Sequence, residues 1–255
     1  MSLIEAFLPA GLSLLGATGL VLAAFLTATL TAAMGIGGGV VMLAVMTQIV
    51  PISVLIPVHG VVQVGANVSR AVAQWRHTHW NLIGYFLAGS LVGAVVGGNI
   101  FVALPEDVIL VTVALFILWS VWGSLPAIRG SGRAVLAIVG AVAAVLTMFV
   151  GASGPFVVAM FRQFNLNKTA LVGTHATAMT LQHGLKVVVF GFLGFAFGEW
   201  LPIMVVMVLC TFLGTALGTL LLHRLPEEGF RLGLKIILTA VAVQILAKEL
   251  WDVVA

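Results

Sequence analysis

Eight stretches of this chain stay apolar for about twenty residues at a time, the length needed for a helix to cross a bilayer's hydrocarbon. They are Leu14–Met34, Val54–Gln74, Trp80–Val102, Val108–Leu125, Ala134–Val150, Thr169–Phe190, Leu201–Leu222 and Leu232–Leu250. Little polar sequence separates them. Only 7% of residues are charged and 62% are hydrophobic, whereas soluble domains carry roughly 25% charged residues to face water. The strict apolar–polar alternation of a membrane β-barrel is absent, so the chain is expected to be an all-α integral membrane protein. The 29 glycines suit helices whose backbones approach closely. No basic residue precedes the first run, so Leu14–Met34 is expected to be retained rather than cleaved as a signal peptide. The single cysteine, Cys210, lies within an apolar run and reads as a small packing residue.

A duplication is written into the glycines. The break Gly35-Ile36-Gly37-Gly38-Gly39 is followed 116 positions later (151 − 35) by Gly151-Ala152-Ser153-Gly154-Pro155. The same offset carries His59 onto His175 and Arg70 onto Lys186. Beyond them the offset becomes 121 (214 − 93): Gly93 matches Gly214, Gly97 matches Gly218, and Leu104-Pro105-Glu106 matches Leu225-Pro226-Glu227. A five-residue insertion near residues 191–200 accounts for the change. Residues 1–128 and 129–255 are therefore expected to be two repeats within one membrane domain.

Loop charges set their relative orientation. Basic residues gather at Arg76, His77 and His79, at Arg129 and Arg133, at Arg162 and Lys168, and at His223, Arg224 and Arg231. Poorly basic ends, with Glu5, Glu106, Asp107 and Glu199, alternate with them. Placing the basic loops in the cytoplasm turns the two repeats upside down relative to each other. Inverted repeats are common in secondary transporters, whose substrates bind near the midplane where helices are broken. The stretches after the breaks, Val40–Val50 and Phe156–Phe164, are short for spanning. If they re-enter, the crossings number eight; if they cross tilted, ten.

Chemistry is expected along two polar stripes inside the spans. His59, Gln63, Asn67, Arg70 and Gln74 recur at steps of three or four and share a helix face; His175, Gln182, His183 and Lys186 form the matching stripe, flanked by Thr174. Inversion would pair His59 with Lys186 in an outer layer and His175 with Arg70 in an inner one, as two basic rungs for an anion. Gln63 and Gln74 alone read as packing residues. The breaks add backbone N–H groups and helix starts, so Gly37, Gly38, Gly39, Ser153 and Gly154 join the candidate anion site. All eight acidic residues lie in loops or at segment ends, which disfavours a cation substrate or a carboxylate proton relay. No phosphate-binding G-x-x-x-x-G-K-[ST] motif is present, which disfavours ATP hydrolysis.

The glycine cluster after the first apolar helix, its weaker echo at 151–155 and the duplicated layout resemble the TauE/SafE sulfite exporter family, over roughly residues 14–250. The resemblance implies a permease of the bacterial cytoplasmic membrane, not an enzyme. It implies a small sulfur-containing anion such as sulfite or an organosulfonate, moved outward, with no cofactor and no nucleic acid partner. A homodimer is one candidate assembly. Two details depart from the family pattern: Ser153 and Pro155 interrupt the second cluster, and Val40–Val50 lacks a proline. Proton-coupled uptake of the same anions is one alternative. An intramembrane haem protein using His59, His175 or His183 as ligands is another.

Overall fold

The computed structural model describes residues 8–34, 37–123, 132–151, 153–221 and 227–254. Ten α-helices occupy them: α1 Leu14–Met34, α2 Gly38–Met46, α3 Ile52–Ala73, α4 Trp80–Ala103, α5 Glu106–Trp122, α6 Arg133–Val150, α7 Gly154–Phe161, α8 Lys168–Phe192, α9 Phe197–Leu221 and α10 Glu227–Val254. No strand occurs among the described residues. Each of the eight expected apolar runs falls mainly on one long helix, and the stretches after the two breaks become the short α2 and α7. Gln74 and Gly123 lie just past the ends of α3 and α5, and Ser124, Leu125 and Leu222 lie outside the described residues. Of the long helices, α1, α3, α4, α6 and α9 are both long and apolar enough to cross a membrane. Glu5, Gly35, Ile36, Arg129, Ala152, His223, Arg224, Leu225 and Pro226 lie outside the described residues.

The inserted residues near 191–200 become extra helix rather than loop. At an offset of 116 the last residue of α3, Ala73, matches Val189, yet α8 runs on to Phe192. At 121 the first residue of α4, Trp80, matches Leu201, yet α9 begins at Phe197. A turn through Gly194, at φ 93°, joins them in a backbone region where glycine carries little strain.

Packing follows the glycines. α4 lies against α6 and α1 against α9, while α3 meets α8 and α5 meets α10. Along α4, Gly89 and Gly93 press on the backbone of Ala137 and Ala141, and a methyl group at either would overlap a carbonyl oxygen of α6. Gly214 and Gly218 press in the same way on the carbonyls of Phe25 and Thr29 in α1. The offsets map one contact onto the other: Gly93 on Ala141 corresponds to Gly214 on Phe25. Gly97, which abuts Val145 of α6, corresponds to Gly218 on Thr29. Small residues at four-residue steps let two helices approach to backbone contact, where dispersion supplies the attraction that lipid does not. Cys210 stands where Gly89 stands in the first half and is half-buried, in keeping with a packing role.

The distribution of polarity is the reverse of a soluble protein's. Leu22, Leu26, Val92, Val95, Val205 and Leu213 face outward, while Gln63, Asn67, Gln182, His183 and Lys186 are buried. An apolar exterior around a polar interior is stable where the surroundings are hydrocarbon.

Candidate functional site

Two broken-helix junctions meet at the centre, between α3 and α8. At the first, Gly37 takes φ 108°, a conformation that side chains other than glycine's rarely adopt, and starts α2. At the second, Gly151 at φ 69° closes the last turn of α6 with its N–H on the Thr147 carbonyl at 3.0 Å. Ser153 then caps α7 and Pro155 fills its first turn, where a missing N–H costs nothing. The first N–H groups of any helix have no partner within the helix, so both starts offer donors and positive partial charge.

Between them lies an open-mouthed cavity of about 410 Å³, its mouth included. Its polar lining comes chiefly from Arg70, Asn67 and Gln63 of α3 and His175 and His183 of α8. Gly37, Gly39, Gly151 and Gly154 bring the junction backbones to its wall, and Val40, Pro155 and Met179 give it an apolar side.

Hydrogen bonds hold the α3 stripe as a ladder. The Asn67 amide donates to the Gln63 carbonyl at 2.7 Å, leaving its oxygen to accept from the Arg70 guanidinium at 2.8 Å. Arg70 Nε–H donates to the Ala66 carbonyl at 3.3 Å. These bonds aim a half-buried guanidinium at the cavity and leave it further donors. No described carboxylate is buried in the bundle: Glu106, Asp107, Glu199 and Asp252 are exposed at helix ends, and Glu249 is half-buried near the end of α10. The cavity is therefore a cationic, donor-rich site.

Each repeated histidine faces a carbonyl in the first turn of a short helix. His59 Nε2 lies 3.0 Å from the Gly39 carbonyl, and His175 Nε2 lies 3.2 Å from the Gly154 carbonyl. A carbonyl only accepts, so a neutral ring with its hydrogen on Nε2 fits both contacts and leaves Nδ1 as an acceptor. The Gln63 side-chain amide also approaches His59 Nε2, at 3.3 Å. For His59 that acceptor faces Lys186 Nζ at 3.5 Å, the outer limit of a hydrogen bond. Lys186 is fully buried, and its stem passes Gly60, where a methyl group would crowd Cε at 2.6 Å. Gly151 also abuts His59, so a side chain there would be strained by its φ and would meet Nδ1 at 2.9 Å.

Of the residues expected at the site, Gly37, Gly39, Asn67, Arg70, Gly154, His175 and His183 line the cavity. His59 and Lys186 stand behind that wall as a pair, the juxtaposition expected from inverted stripes. Gly38 is taken up elsewhere, against the Thr27 carbonyl and the Thr31 hydroxyl of α1. Gln182 and Ser153 are also diverted. The Ser153 hydroxyl bonds Thr147 and, at 3.1 Å, the Gln182 oxygen, while the Gln182 amide donates to Ser90 at 3.1 Å and to the Gly140 carbonyl at 3.2 Å. All four side chains are buried, and the cluster ties α4, α6 and α8 together beside α7. Sequence reasoning missed Thr31, Gly151 and Met179 as lining residues and undervalued Gln63. Thr31 had a signal: it lies 116 positions before Thr147 (147 − 31).

A bundle of long apolar helices with a polar cavity where two broken helices meet is an architecture suited to a membrane transporter. Residues 20–245 match the sulfite exporter TauE/SafE family, and the chain belongs to that family. No curated protein and no solved structure gives a match.

Proposed function

We propose that this protein is a secondary transporter that carries a small sulfur-containing anion, such as sulfite or an organosulfonate, outward across the bacterial cytoplasmic membrane. The observation that carries this reading is the Arg70 guanidinium, held toward the cavity by Asn67 with no carboxylate to neutralise it. Arginine's planar fork suits an oxyanion with several equivalent oxygens. Asn67, Gln63 and the junction backbones add neutral donors around it.

The transport cycle in this proposal uses residues 1–128 and 129–255 as inverted copies that together form one membrane domain with eight to ten crossings. The equivalence of the Gly93–Ala141 and Gly214–Phe25 contacts supports the repeat, and the alternation of basic loops supports the inversion. Rocking one copy against the other would open the cavity at the Arg70–His175 rung to each side by turns, with the Lys186–His59 pair behind its wall. An anion leaving a negative interior gains roughly 2.3 kcal/mol per charge per 100 mV, so voltage alone can drive export.

The test is flux from proteoliposomes loaded with sulfite, sulfoacetate, taurine or thiosulfate, with and without an imposed potential. At least one sulfur oxyanion should leave in a voltage-dependent way, and Arg70→Gln should slow it. Retention of all four by the wild-type protein would overturn the reading.

A further inference from the structure

Lys186 is the least expected side chain in the bundle. It is fully buried, does not line the cavity, and its one hydrogen-bond neighbour is His59 Nδ1 at 3.5 Å. An ammonium has three N–H donors, and a single long contact leaves it poorly compensated. Removing a charge from water costs several kcal/mol unless an opposite charge offsets it, and none of the described carboxylates lies in the interior. An uncharged amine fits this slot without that cost.

Beside it is a second unsatisfied group. His183, one turn earlier on α8, is 3% exposed, lines the cavity, and its Nδ1 has no hydrogen-bond partner. Its ring lies edge-on to His59, with centroids 6.0 Å apart. His183 therefore touches the cavity on one side and the His59–Lys186 pair on the other. The remaining helices packed on α8 bring no buried ionisable group among the described residues: Tyr85 of α4, Arg133 of α6 and Arg162 after α7 are exposed.

We infer that Lys186, reached through His183 and paired with His59, is a proton-binding site whose occupancy is coupled to the anion in the cavity. The inference rests on the proposed transport function. The proton bond is simple to balance: the amine lone pair of Lys186 takes up one proton delivered from the cavity and returns it when the anion leaves. An anion near Arg70 supplies the negative charge that makes the buried ammonium tolerable, and the ammonium in turn strengthens anion binding. Such coupling is reciprocal by thermodynamic necessity. One proton carried with a divalent anion still leaves one net negative charge moved. Voltage therefore still drives export, while an alkaline interior opposes it.

The experiment uses full-length protein in liposomes containing a trapped pH dye, with thiosulfate and sulfoacetate as probes because both stay fully ionised near neutral pH. Wild-type influx of either anion should acidify the lumen, about one proton per anion. Anion influx without acidification overturns this inference and leaves the transport reading intact, whereas failure to move thiosulfate, sulfoacetate, sulfite and taurine alike removes both. Lys186→Met, never charged, and Lys186→Arg, always charged, assign the site. Each is first checked by gel filtration, and proton uptake on thiosulfate binding is then measured in detergent. Both should bind thiosulfate while proton uptake falls at least fivefold. Uptake restored by arginine would show a need for charge alone. Loss of thiosulfate binding in both variants would place Lys186 in the anion site itself. Either result overturns the proton role.

Discussion

The two helix breaks occupy matched places and are treated in opposite ways. In the second half Thr147, Ser153 and Gln182 join Ser90 in a buried cluster that fastens the start of α7 to α4, α6 and α8. The matching positions in the first half are Thr31, Gly37 and Ala66. Thr31 and Thr147 each donate to the carbonyl four residues back in their own helix, but glycine and alanine at 37 and 66 offer Thr31 no side-chain partners like those that Thr147 finds in Ser153 and Gln182. Thr31 and Gly37 face the cavity, whereas Ser153 and Gln182 do not. The basic residues differ too: Arg70 opens on the cavity and Lys186 is sealed behind His59. Both junctions bring backbone to the cavity wall, through Gly37 and Gly39 on one side and Gly151 and Gly154 on the other; what the second withholds is its polar side chains, which satisfy one another.

The largest effect expected from this contrast is on the open side. Arg70→Gln removes a charge-assisted donor, worth about 1.5–3 kcal/mol, so thiosulfate or sulfoacetate affinity should fall roughly ten- to hundredfold. Unchanged affinity by calorimetry would break the distinction between an open and a sealed rung. Next in size are the helix contacts that the two halves share. Gly93→Leu and Gly214→Leu should each destabilise the bundle by about 1–3 kcal/mol through forced backbone separation. Their losses, read by denaturant or thermal melts in detergent, should match within a factor of two; a large cost in one half only would undo the equivalence of the α4–α6 and α1–α9 contacts.

Gln182→Leu should cost about 1–3 kcal/mol, because it removes the amide that bridges Ser90, Ser153 and the Gly140 carbonyl and leaves each with fewer partners in an apolar interior. Ser153→Gly makes the second break more like the first and should cost least, about 1 kcal/mol. Anion affinity should stay near wild type in this last variant, since the hydroxyl points into the cluster rather than the cavity. A tenfold loss of affinity would mean that the second junction contributes to the site as the first does.

Much of this architecture was legible in the residues. Leu14–Met34 reappears as α1 with the same bounds, and the other seven apolar runs fall within a few residues of their helices. Hydrocarbon leaves a chain few options, because every backbone donor must be satisfied within the segment. The stripe from His59 to Arg70 was legible for a related reason: steps of three and four share a helix face whatever the fold around it. The pairing of His59 with Lys186 also followed from treating the halves as inverted.

Gln182 and Ser153 were not legible as a cluster. They stand on different helices from Ser90, and nothing local states that α4, α6 and α8 bring the three together. Nor did the spacing distinguish Gly38, spent on close packing against α1, from Gly37 and Gly39 on either side, which reach the cavity.

By itself, then, the sequence determined the class of environment, the all-helical fold, the places where helices break and the glycine rows that allow close packing. These depend on quantities that are local or repeat at fixed offsets: apolar length, helical period and the absence of a side chain. Tertiary structure decided which polar groups satisfy one another and which remain free to meet an anion. Hydrogen bonds inside an apolar bundle are formed between helices, over ångström distances that no spacing along the chain records. That is why, of Arg70 and Lys186, equivalent in the sequence, one lines the open cavity and the other is buried behind its wall.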